Sequence, residues 1–218
     1  METTKQPLLA FHGQQEIKDK YLARLQAHYN ADEIIKGKYW EDGKGCAVGC
    51  TVHSSRHKDY EHELGIPMAL ARLEDRIFEG LPNADAKEFP IQFLTAINVG
   101  SELSLVWRKL MIYILIDETY GVIHLVKDLK IKKNIQNVAD LFVESLTQNI
   151  SKERWLVAKK AAAADAAYSA ADAAYSAAYA AGGAADDAAY ADAYADGARY
   201  TYYKNISKKL IEILKQTK

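Results

Sequence analysis

Between residues 161 and 198 the chain uses only five residue types: 22 Ala, 6 Asp, 5 Tyr, 3 Gly and 2 Ser. Leu, Ile, Val and Phe are absent from this span. Such a segment cannot build a core of its own, because each alanine buries little apolar area. It is nevertheless predicted helical, since alanine has the best helix propensity and no proline interrupts it. The unit A-D-A-A-Y-S-A stands at 164–170 and again at 171–177. At 100° per residue, Tyr168, Tyr175, Tyr179, Tyr190 and Tyr194 fall within a stripe about 100° wide, with Asp165, Asp172 and Asp186 within or beside it. One unbroken helix from Ser151 to Lys215 would run about 97 Å. An antiparallel hairpin turning at Gly182-Gly183 is the economical alternative, with the tyrosines supplying the contact energy that alanine lacks. Residues 161–198 carry six Asp and no Lys or Arg, whereas 199–218 carry six basic residues against Glu212. Basic groups at that end complement a helix dipole.

The composition changes near residue 150, so the chain divides into a mixed helical domain, 1–150, and an alanine-rich hairpin, 151–218. The fold class expected is all-α. Ile17, Tyr21, Leu25 and His28 make one stripe on a helix over Gln14–Tyr29, followed by a glycine-rich loop at 37–45. A helix capped at Ser54 or Ser55 is predicted to end at Gly65. Pro67 precedes a helix from Met68 that Gly80 and Pro82 stop. Further helices are expected over Pro90–Val99, Glu102–Ile116 and Asn134–Gln148. Leu73-Glu74-Asp75-Arg76 reads as an exposed turn. Val122–Ile131 has no clear period, and any hairpin is placed near 111–131.

Residues 43–64 hold most of the groups capable of chemistry. Cys46, Cys50, His53, His57 and Glu61 follow one another at intervals of 4, 3, 4 and 4, which places them on one face of a continuous helix. Three readings follow. A metal site with zinc-type ligands is disfavoured, because Cys46 and His57 would lie about 16 Å apart along the axis; no metal is expected. A thiol nucleophile at Cys46 would draw on a helix N-terminus and Lys44 for a lowered pKa, and on His53, His57 or His12 as base and Glu61 as orienting carboxylate. In the third reading the cysteines are small hydrophobes in a close helix contact. Tyr60, Glu61 and Glu63 with His57 and His62 read as a solvated face.

The run Tyr39-Trp40, Gly43-Lys44-Gly45-Cys46-Ala47-Val48-Gly49-Cys50-Thr51-Val52-His53-Ser54, then Leu64-Gly65-Ile66-Pro67, Ala71-Arg72-Leu73-Glu74-Asp75 and Ile77-Phe78-Glu79-Gly80-Leu81-Pro82 resembles a family of bacterial and phage proteins. The resemblance covers residues 11–150, and some relatives carry alanine-rich C-terminal stretches. It implies a bacterial or phage origin and brings no activity with it.

A net charge of −1 argues against a dedicated nucleic-acid or membrane-surface binder. No apolar run exceeds Leu110–Ile116, too short to span a bilayer. The N-terminus lacks a signal-peptide pattern, and two cysteines suit a reducing cytoplasm. No cofactor motif is present. The expected function is therefore that of an intracellular interaction protein, such as an inhibitor or regulator of a host system. It would bind a protein partner or itself through the Tyr/Asp stripe. The alternative is a small-molecule enzyme or binding protein built on Cys46, His53, His57 and Glu61.

Overall fold

The computed structural model describes residues 8–164 and 194–218. The chain is all-α, with a two-strand ribbon as a minor element. The tyrosine and aspartate stripe from Asp165 to Tyr190, and the turn expected at Gly182-Gly183, lie outside the described residues. Tyr194 opens the last helix. Among the described residues, no helix is long and apolar enough to cross a membrane.

Two compact units partition the chain: residues 1–107 with 207–218, and residues 108–206. In the first unit, helix α1 (Gln15–Asn30) packs on α5 (Asn83–Ala96), which also packs on α4 (Met68–Gly80). The short helices α2 (Ala47–Val52) and α3 (Asp59–Leu64) fill the space between. Every residue of α2 is buried, so a six-residue helix with little intrinsic stability is held by its neighbours. The core runs through Phe11, Leu25, Ile34, Tyr60, Leu70, Phe78, Phe89 and Phe93. Leu210 and Leu214, from the end of the last helix, are fully enclosed in this same unit. Their segment is tied down where the Asn98 side chain donates to the Thr217 carbonyl (2.8 Å) and the Glu102 amide to that of Lys218 (3.3 Å).

Strands β1 (Trp40–Glu41) and β2 (Lys44–Gly45) pair antiparallel around Asp42-Gly43. Both turn residues have positive φ (51° and 81°), the requirement of a tight two-residue hairpin. The hairpin thus lies here and not in the 111–131 region. The ribbon is bound to the start of α2, because the Cys46 amide donates to the carbonyls of Lys38 (2.7 Å) and Tyr39 (3.1 Å).

Other expectations change for identifiable reasons. Pro90 lies inside α5, which already begins after Pro82; the buried Phe89, Phe93 and Leu94 hold the helix through the missing amide. Leu73 through Arg76 are helical in α4, with Leu73 and Glu74 buried, because that face of α4 turns inward.

In the second unit, α6 (Val106–Ile116, shared with the first) leads through a 3-10 turn at Val122–His124 to α7 (Leu129–Glu144). Asp128 caps α7 by accepting from the amides of Lys130 (2.8 Å) and Ile131 (3.0 Å). Helix α8 (Lys152–Ala164) packs on α7, with the Trp155 ring 4.9 Å from that of Phe142. Helix α9 (Tyr194–Gln216) crosses from this unit into the first.

Candidate functional site

The 46–61 segment is not one helix. Its first helix ends at His53, whose left-handed backbone (φ 52°, ψ 42°) breaks the helix before α3 begins at Asp59. The single face expected for Cys46, Cys50, His53, His57 and Glu61 is therefore divided, and the residues take separate surroundings.

Cys46 caps the N-terminus of α2 and is 1% exposed. Burial pushes its thiol far above the ordinary value, and the nearby Asp75 carboxylate raises it further. The amides of Gly49 and Val48 pull the other way, but a desolvated anion outweighs them. Cys50 is raised to about 12, again mainly by burial, and its Sγ lies 3.3 Å from the Gly45 carbonyl oxygen. Both cysteines are free thiols. With the thiolate so disfavoured, neither is equipped as a nucleophile at neutral pH. Thiol titration with a maleimide should accordingly show both cysteines protected in the native protein and two reacting after denaturation. Rapid native labelling of both would contradict this placement.

His57 approaches Asp75 (Nε2 to Oδ2, 3.4 Å), and its ring meets Tyr39 edge-on at 5.5 Å. Beside Asp75 in sequence, Glu74 is fully buried, and among the described residues neither of its oxygens has a partner in hydrogen-bond geometry. Tyr60, also fully buried and not a surface residue, directs its hydroxyl to the same carboxyl. Burial, and secondarily Asp75, holds the Glu74 carboxyl well above its usual value. Glu61 serves the backbone: its Oε1 accepts from the Met68 amide (2.9 Å), an orphan donor at the start of α4. His12 is not beside Cys46; its Nε2 lies 3.1 Å from the His62 carbonyl oxygen.

His53 belongs to a different group. Its ring stacks on Trp40 with centroids 4.3 Å apart and planes 11° apart. Its Nε2 lies 2.8 Å from Nε2 of His28, on α1. Nδ1 of His28 lies 2.6 Å from Oε2 of Glu33. The three side chains form a line, Glu33–His28–His53, with His28 largely buried and His53 exposed. Glu33 accepts the Nδ1 proton of His28, which fixes the tautomer and directs the Nε2 lone pair at His53. Burial, then the charges of Arg24 and His28, lowers the His53 pKa. Glu33 and Asp75, the carboxylates that serve the two histidines, carry no motif that marks them in sequence. Glu33 reaches His28 from the loop that follows α1, and Asp75 reaches His57 from α4. Among the described residues, no three or more His, Cys, Asp or Glu side chains gather where they could hold a metal ion.

In the second unit, α7 and α8 form a groove of about 470 Å³ lined by Val138, Leu141, Val157 and Ala158 and by polar residues, among them Asn134, Asn137, Asp140 and Glu153. Glu144 and Arg154 form a bidentate ion pair at its edge, with Nη2 2.6 Å from Oε2. Leu129 is 81% and Val157 67% exposed, and Leu125, Val143 and Leu156 are also open to solvent.

No family model, no curated protein and no solved structure matches this chain.

Proposed function

We propose that this chain is an interaction protein of bacterial or phage origin that works inside the cell as a regulator. It binds a protein partner or a second copy of itself through the alanine-rich segment and the α7–α8 pair that leads into it. The observation that carries this reading is the apolar surface of the second unit. Leu125, Leu129, Val143, Leu156 and Val157 remain exposed over 33 residues of sequence, beside a groove of mixed apolar and charged lining. Exposed apolar area with a polar rim is the usual composition of a protein-binding surface. The stripe from Tyr168 to Tyr194 follows directly in the chain and supplies residues enriched at interfaces.

Burying a valine or leucine contributes about 1.5–3 kcal/mol. A Leu129→Asp/Val157→Asp variant should therefore weaken association roughly tenfold or more. Light scattering across a concentration series reads self-association, and co-purification followed by reconstitution with the recovered partner reads a foreign one. Equal behaviour of variant and parent in both measurements would remove this surface from the function. The small-molecule alternative keeps one supporting observation, the Glu33–His28–His53 line, since Cys46 is enclosed and Glu61 is engaged by the backbone.

A further inference from the structure

The line of Glu33, His28 and His53 has the parts of a metal site seen from its ligands. A histidine that binds a metal usually donates its second ring N–H to a carboxylate, which sets the tautomer and raises the basicity of the ligating nitrogen. Glu33 does this to His28 at Nδ1. The other nitrogen, Nε2, faces Nε2 of His53 across 2.8 Å. Two cis ligands, each about 2.0 Å from an ion and subtending a right angle, also stand about 2.8 Å apart; the ring centroids are 5.0 Å apart, so the two nitrogens face each other and each ring must turn by about 45° to aim at a common ion. Tetrahedral coordination would need the nitrogens to part by about 0.5 Å. His53 is exposed, which leaves room for water at the remaining positions. Its ring also lies flat against Trp40, which reports on anything bound there.

We propose that His28 and His53 form an open binding site for a late first-row divalent cation, copper(II) ahead of nickel(II) or zinc(II), with both Nε2 atoms as ligands. Glu33 supports His28 from behind, and the ion takes the place of the proton the two rings otherwise share. Imidazole donors suit copper(II), which also heads the affinity order for divalent first-row ions at such sites. The charged groups facing the pair are Glu33, Arg24 on α1 and Glu63 on α3. Arg24 opposes a cation and the two carboxylates favour one.

The test is a titration of the full, tag-free chain with copper(II) in a non-chelating buffer at pH 7.5, followed by tryptophan fluorescence and by calorimetry. Copper bound to His53 quenches the stacked Trp40, so the expected result is a quench that saturates at one ion per chain. His28→Gln and His53→Asn should each abolish that saturation; asparagine is chosen because it tolerates the left-handed backbone. Glu33→Gln should weaken binding about 10–100-fold. Trp40→Phe should retain the calorimetric binding while losing most of the quench, which separates loss of the reporter from loss of the site. Lowering the pH to 5.5 should release the ion, because protons compete for both imidazoles. Circular dichroism of each variant identifies any that fails to fold, and Trp40→Phe and Glu33→Gln then carry the test. The proposal is overturned if no ion binds at one equivalent, or if folded His28→Gln or His53→Asn binds copper as the parent does.

Discussion

Gly49→Ala is expected to destabilise the protein by about 3 kcal/mol or more, seen as a fall in Tm of roughly 10 °C or as loss of soluble protein. In an ordinary helix the same change stabilises by up to about 1 kcal/mol, because alanine is the better helix former. Here the sign reverses. A Cβ on Gly49 would overlap the carbonyl group of Tyr39 and touch Cβ of Trp40 at 3.4 Å. The Tyr39 oxygen cannot swing aside, since it accepts from the Cys46 amide and so anchors the ribbon on α2. Gly197→Ala is the control. It lies in helix α9 with no atom of the described residues within 4 Å of the Cβ it would gain, so it should be neutral or slightly stabilising. A Gly49→Ala protein that melts within 2 °C of the parent would show that the ribbon does not clamp α2 this tightly.

Glu74→Gln is expected to stabilise the protein, and to do so increasingly as the pH rises from 5 to 8. The buried carboxyl is held well above its usual pKa, so the folded state keeps the proton that the unfolded chain gives up near pH 4.3. The stabilising contribution of protonated Glu74 is therefore complete below about pH 4.3 and is lost as the pH climbs towards the folded-state value. The initial loss is about 1.4 kcal/mol per pH unit. Glutamine keeps the shape of the protonated acid and does not titrate, so it escapes this loss. Thermal melts of both proteins at pH 5, 6.5 and 8 check the expectation. A stability difference that stays constant over this range would mean that Glu74 is not a buried, protonated acid.

The helices were legible wherever one face alone is apolar. The stripe through Ile17, Tyr21 and Leu25 and that through Leu70, Leu73 and Ile77 both lie where helices α1 and α4 form. The break after Val52 was hidden, because a residue entering the left-handed region at His53 leaves the 4-3-4-4 spacing intact. The tight turn at Asp42-Gly43 did have a signal, the Asp-Gly pair, which the surrounding glycines obscured. Glu74 was misread because a carboxylate in sequence suggests solvent. The arrival of Tyr60 from α3 beside it is visible only in the fold. The candidate site was legible as a segment and not as a set of partners. Trp40 and His53 lie near each other in sequence, but His28 and Glu33 join them because α1 packs on α2.

The discontinuity of the first unit bears on how the protein is made. Its core closes with Leu210 and Leu214, about a hundred residues after Trp107. At about 5–20 residues per second, a ribosome needs roughly 5–20 s to travel that distance. Through that interval the nascent first unit lacks its last packing layer, although residues 1–107 have been synthesised. The apolar surface that Leu210 and Leu214 will cover stays open to chaperones and to neighbouring chains while the second unit emerges. A stall or cleavage within residues 108–206 would thus strand the first unit incomplete, so the quality of one unit is read through the synthesis of the other.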